Sequence, residues 1–191
     1  MPTSPNLALV DLALGDIGDA EELARQSMRE LAEASDSYGL GGSQMYLGFI
    51  LEQAQRLDEA AGYYREASVA FQEVGAQGLA VEATAGLARC ALGHDQLNEA
   101  AHHVAKVWDY LTDRKGTGIE NLTRVYLTCA AVFTAEQDQA AAKAALEAGY
   151  HDLMRRASKI SDPQWRTAFL EKVPDHQTMI RRWQEVQGAG N

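Results

Sequence analysis

Residues 47–60 read LGFILEQAQRLDEA, and residues 87–100 read LARCALGHDQLNEA. The same frame falls on LALVDLALGDIGDA at 7–20 and on LTCAAVFTAEQDQA at 127–140. Leu7, Leu47, Leu87 and Leu127 open the four stretches; Ala20, Ala60, Ala100 and Ala140 close them. A leucine, a small residue, a polar turn and an alanine, repeated every forty residues, is the mark of stacked structural repeats.

Within each stretch the apolar spacing is helical. Leu47, Ile50 and Leu51, then Leu87, Cys90 and Ala91, are three and four residues apart, which puts each set on one helix face. A short polar turn follows (Gly15–Asp16, Gln55–Arg56, Asp95–Gln96, Glu136) and then an apolar residue opening a second helix (Ile17, Leu57, Leu97). In the fourth stretch Gln137 stands in that apolar place, which implies a looser final turn. Ala8, Gly48, Ala88 and Thr128 are small where two helix backbones must approach closely. The second helices end on Leu31, Phe71 and Leu111.

Glycines mark the junctions, with Gly78–Leu79 and Gly118–Ile119 forty residues apart. Thr117 with Glu120 has the spacing of a capping box opening the fourth unit.

Beyond residue 160 the pattern changes. Asp162–Pro163 has the form of an N-cap followed by a first helical residue. Trp165, Phe169, Leu170 and Val173 form one apolar stripe. Met179, Ile180, Trp183 and Val186 form another beyond Pro174. Two closing helices over 161–188 would cover the end of a stack, as a solenoid requires.

The leucine–small pairs, the anchored turns and the central alanines resemble the tetratricopeptide repeat in a long, forty-residue form. The resemblance covers residues 5–160. Tyr64 supplies the aromatic expected in a second helix, where Ala24, Val104 and Ala144 do not. It implies an all-α fold, a right-handed α-solenoid of four helical hairpins plus two C-terminal capping helices. The units would fall at about 5–37, 38–76, 77–115 and 116–160 of a single domain, 1–191. The segment RASKISDPQWRTAFLEKVPDHQTMIRRW is similar to the closing segment of tetratricopeptide arrays in large bacterial regulators.

By the register of the resemblance, first helices line a concave wall. That wall would hold Met45, Phe49, Glu52, Gln53, Glu82, Arg89, Leu92, Val125, Cys129, Val132 and Phe133, apolar at both ends and charged in the middle. A peptide or protein segment with apolar anchors suits it. The positions that grip an acidic chaperone tail in some members are Met45, Ala85, Val125, Phe49, Arg89 and Cys129 here. Arg89 alone among them is basic, so no such tail is expected.

Residues 7–14, LALVDLAL, are apolar on nearly every side, with Asp11 the exception. Leu7, Leu9, Val10, Leu12 and Leu14 are therefore expected to form an interface, either with an upstream domain or in a homodimer.

Composition narrows the chemistry. The net charge of −10 is uneven: residues 1–100 carry five basic and sixteen acidic side chains, and residues 101–191 carry twelve and eleven. A phosphate backbone is repelled by the first half, and nucleic acid is not an expected partner. No apolar run reaches the roughly 18 residues of a membrane span, and no basic n-region opens the chain. A cytoplasmic protein with no membrane partner and two buried free thiols, Cys90 and Cys129, is expected. No phosphate loop, H-E-x-x-H, C-x-x-C or G-x-S-x-G motif occurs. Glu99 with His102 lacks the second pair that a dimetal site needs. No enzyme activity, metal or cofactor is expected. The expected role is an interaction module within a bacterial signalling or transcriptional regulator. The alternatives are a ligand-sensing array for short peptides or small molecules, or a homo-oligomerisation scaffold.

Overall fold

A computed structural model describes residues 17–188. The opening segment, with its proposed interface at Leu7, Leu9, Val10, Leu12 and Leu14, lies outside the described residues. Those described form an all-α fold in which helices consecutive within one compact unit pack as neighbours. The helices are α1 (Ile17–Glu33), α2 (Ser37–Gln53), α3 (Leu57–Glu73), α4 (Gln77–Gly93) and α5 (Leu97–Arg114). They continue with α6 (Leu122–Ala135), α7 (Gln139–Ala157), α8 (Pro163–Glu171) and α9 (Pro174–Gly188). They fall into two compact units, Met1–Glu120 and Asn121–Asn191.

In the first unit the modulus is twenty residues, half the sequence repeat. Helices begin at 17, 37, 57, 77 and 97, and three-residue turns join them. Each turn is built the same way. Arg56 N–H donates to Leu51 C=O and Gln55 N–H to Glu52 C=O; the pairs Asp36/Ser35, Ala76/Gly75 and Gln96/Asp95 repeat the pattern. This is the Schellman arrangement, which satisfies the last carbonyls of a helix and needs a left-handed residue. That residue is Ser35, Gln55, Gly75 or Asp95, with φ between 55° and 74°.

The second helices bury one stripe. Ala60, Tyr64, Ala67 and Phe71 on α3 are matched by Ala100, Val104, Val107 and Leu111 on α5, at intervals of four, three and four. The helix between two such neighbours is buried over more of its circumference: α2 buries Gly41, Ser43, Gln44, Met45, Leu47, Gly48, Ile50 and Leu51. Leu87, by contrast, is half-buried at the edge of the core. Ser27 and Ser43 share a buried hydroxyl hydrogen bond of 3.0 Å where α1 meets α2.

The junction glycines meet each other. A Cβ on Gly78 would lie 2.3 Å from the Gly118 carbonyl carbon, so the loop after α5 rests directly on the start of α4. The expected capping box does not form. Thr117 Oγ1 donates back to Arg114 C=O, and α6 starts later, after Asn121, with no side-chain cap.

The second unit corrects the register of the fourth repeat. Its turn repeats the Schellman pattern, with Asp138 N–H on Phe133 C=O and Gln137 left-handed at φ 63°. Gln137 therefore corresponds to Gln55 and Asp95, forty-two residues on from Asp95. The turn is no looser than the others: Asp138 caps α7 by accepting from Ala141 N–H at 2.9 Å. The buried stripe is Ala142, Leu146, Gly149 and Leu153. Ala140 is exposed where Ala60 and Ala100 are fully buried, so its forty-residue spacing does not mark an equivalent place.

Asp162 caps α8 through Gln164 and Trp165 N–H, with Pro163 first in the helix, as the sequence predicts. Met179 of α9 is fully buried, and Gly149 gives it room against α7. Arg124 pairs with Asp175 at 2.9 Å, tying α6 to α9. Trp165 departs from its predicted stripe and is 75% exposed.

Left-handed backbone costs an L-residue roughly 1–2 kcal/mol, offset partly by the greater unfolded freedom of glycine. Gln55→Gly should therefore raise the unfolding free energy by about 0.5–1 kcal/mol. Urea denaturation of the two proteins checks this.

Candidate partner-binding wall

The wall predicted from first helices is in the first unit a strip on α2 and α4, joined by one polar cluster. Phe49, Glu52 and Gln53 share a face of α2; Arg89 and Leu92 share a face of α4. Arg89 reaches across to Glu52 with two bonds, Nε to Oε1 at 2.7 Å and Nη2 to Oε2 at 3.0 Å. The Tyr64 hydroxyl donates to Glu52 Oε2 at 2.6 Å and accepts from Arg89 Nη2 at 3.1 Å. The guanidinium also lies over the Tyr64 ring, 5.6 Å from its centroid.

Both charges are largely sealed, with side chains 19% and 14% exposed. Burial works against the charged form of Arg89, but the adjoining Glu52 carboxylate more than compensates, and the guanidinium is held even more firmly protonated. Burial drives the Tyr64 hydroxyl far above its usual range. A buried bidentate pair with its remaining lone pairs occupied is the arrangement in which such a pair is stable. Arg89 and Glu52 thus bind each other across the wall.

The ring of Tyr64 is flat against two glycines. A Cβ on Gly48 would stand 3.0 Å from it and a Cβ on Gly86 2.6 Å. Two helices can close on the ring because neither carries a side chain there.

The other predicted wall residues divide by burial. Met45 is buried in the core cluster, and Phe49 packs half-buried against it. Gln53 is exposed and Leu92 half-buried. Glu82 is buried and accepts from Glu120 N–H at 2.8 Å, so it holds the loop that follows α5. Val125, Cys129 and Val132 on α6 are buried core residues and not part of an open wall. Phe133 is half-buried in the second unit. The exposable part of the first-unit wall is Phe49, Gln53 and Leu92.

Sequence reasoning missed Tyr46. Its hydroxyl lies 3.4 Å from Glu120 Oε2. Burial, with the Glu120 and Glu82 charges, pushes it up to about 12. Cys90 and Cys129 are buried free thiols, both pushed up to about 12 by burial. Among the described residues no cluster of three or more His, Cys, Asp or Glu is placed to hold a metal ion, and no helix is long and apolar enough to cross a membrane.

No family model matches the chain, and no curated protein sequence matches it. Among solved structures it is similar to BtubC (BKLC) from P. vanneervenii. The TM-score is 0.62 and the identity 17%, over 97% of this chain and 78% of that one. At that identity the likeness shows a shared fold and nothing finer.

The raised groups make stability depend on alkaline pH. The two thiols stand at about 12 against 9.0, and Tyr46 at about 12 against 10.0. The folded chain keeps these protons where the unfolded chain releases them. Their contribution is complete below pH 9 and is lost as pH rises towards 12. The urea midpoint should fall steadily above pH 9, and less steeply in Cys90→Ala. Equilibrium unfolding at a series of alkaline pH values checks this; a flat midpoint would contradict it.

Proposed function

We propose that this chain is a protein-interaction module of the tetratricopeptide type, taking a peptide or protein segment along the first helices of its repeats. The observation that carries this reading is the Glu52–Arg89–Tyr64 cluster. It fixes α2 against α4 and leaves Phe49, Gln53 and Leu92 as a strip on adjacent first helices. A rigid strip of that kind suits a segment with small apolar anchors and one or two hydrogen bonds. Conformational cost on binding falls when the receiving surface is already ordered.

The uniform turns and repeated helix lengths support a repeat scaffold, whose use is recognition across neighbouring units. The closing sequence after residue 160 supports a place in a bacterial signalling or transcriptional regulator. Cytoplasmic location belongs to the same reading.

A photo-crosslinking amino acid at the exposed position of Gln53, compared with one at exposed Glu59 on α3, tests this in cells. A protein joined from Gln53 and absent from Glu59 is the expected result. Equal capture from both positions, or capture of further copies of this chain alone, would contradict it.

A further inference from the structure

The last two helices of the second unit meet through a contact that shares no residue with the wall. α8 buries none of its nine residues. An open depression of about 540 Å³ lies between it and α9, lined by Leu170 and Glu171 on one side and by Gln177, Ile180 and Arg181 on the other. The C-terminal turn of α8 is held by hydrogen bonds from the first turn of α9. His176 Nδ1 stands 2.7 Å from the Phe169 carbonyl oxygen, and the Gln177 side-chain amide donates to the Glu171 carbonyl. A carbonyl only accepts, so Nδ1 carries the hydrogen and the neutral ring has that tautomer. The imidazole is 7% exposed, its centroid 4.4 Å from that of the Phe169 ring. The Arg156 guanidinium of α7 lies over the same Phe169 ring, 5.7 Å from its centroid.

A positive charge on this imidazole is opposed in three ways. Burial takes it out of water. Arg156 faces it from α7, bound at 2.8 Å to Asp152. The first turn of α9, where it stands, is the positive end of the helix dipole. Two groups favour the charge: the Phe169 carbonyl and Asp175, whose carboxylate is already paired with Arg124 of α6 at 2.9 Å. Glu171 and Lys172 at the end of α8 are exposed. Burial is the largest influence, and the ring is held below its usual range.

We propose that His176 is an acid-sensitive latch on α8: the neutral imidazole holds the C-terminal turn of that helix against α9, and protonation releases it. With α8 released, the ring is in water and takes its proton near the ordinary value of 6.5; in the closed form it does so only at lower pH. The closed form is therefore fully favoured above pH 6.5 and loses that advantage as pH falls through 6.5 towards the lower value. Release uncovers the Phe169 ring, half-buried when the latch is closed.

Amide hydrogen exchange of the whole chain, corrected for its intrinsic pH dependence and followed from about pH 7.5 to about pH 5, tests this. The Arg166 and Lys172 amides bond within α8, to the Asp162 and Ala168 carbonyls. Protection over 166–172 should fall severalfold, by no more than about tenfold per pH unit for the one proton involved, while that of α7 holds. His176→Gln removes the titrating group and should leave α8 protection independent of pH, whatever its level. His151, which touches Trp183 further along α9, remains in that variant, so its own titration is separated. A reading that needs no variant is the NMR titration of the His176 ring in the native chain. It should show the Nδ1–H tautomer at neutral pH and a midpoint below 6.5. Protection of α8 that does not change with pH, an equal change in His176→Gln, an equal loss across α7, or a His176 midpoint at or above 6.5 would overturn the proposal.

Discussion

The ring of Tyr64 is where the first unit is keyed together. It projects from α3 between Gly48 on α2 and Gly86 on α4, and both helices close on it because each lacks a Cβ at the contact. Its hydroxyl then joins Glu52 and Arg89, so the same side chain spaces the two first helices and completes the ion pair that crosses them. The parts depend on one another. A buried carboxylate and guanidinium are stable only when their hydrogen-bonding capacity is met, and loss of one partner typically costs about 3–5 kcal/mol. The second unit solves the same spacing problem differently: Gly149 on α7 admits Tyr126 and Met179.

Much of the fold is legible in the sequence because burial leaves periodic marks. The stripes Ala60–Tyr64–Ala67–Phe71 and Ala100–Val104–Val107–Leu111 have the helical interval, and Asp162–Pro163 announces a helix start. The fourth repeat shows the limit. Ala140 keeps the forty-residue spacing by coincidence, while two additional residues before the turn move the equivalent alanine to Ala142. The turns would have exposed the slip, but Gly75 apart, the left-handed residues that close the described three-residue turns are Ser35, Gln55, Asp95 and Gln137. Glycine would have signalled such a residue; these do not.

The site was less legible for a physical reason. A register argument places a residue on a face but cannot say what else reaches that face. Arg89 reads as the one basic residue among the clamp positions, yet Glu52 and Tyr64 bind it. Val125, Cys129 and Val132 occupy wall positions by number and core positions by contact.

The central claim is that Gly86 is glycine because Tyr64 fills the space its side chain would take. A double-mutant cycle measured by urea denaturation tests it most directly. In the native background Gly86→Ala should destabilise by about 1–3 kcal/mol, since the ring must be displaced. In a Tyr64→Val background the clash is gone, and the same change should stabilise by about 0.5–1 kcal/mol, the ordinary helical preference for alanine. An equal effect of Gly86→Ala in both backgrounds would contradict the account.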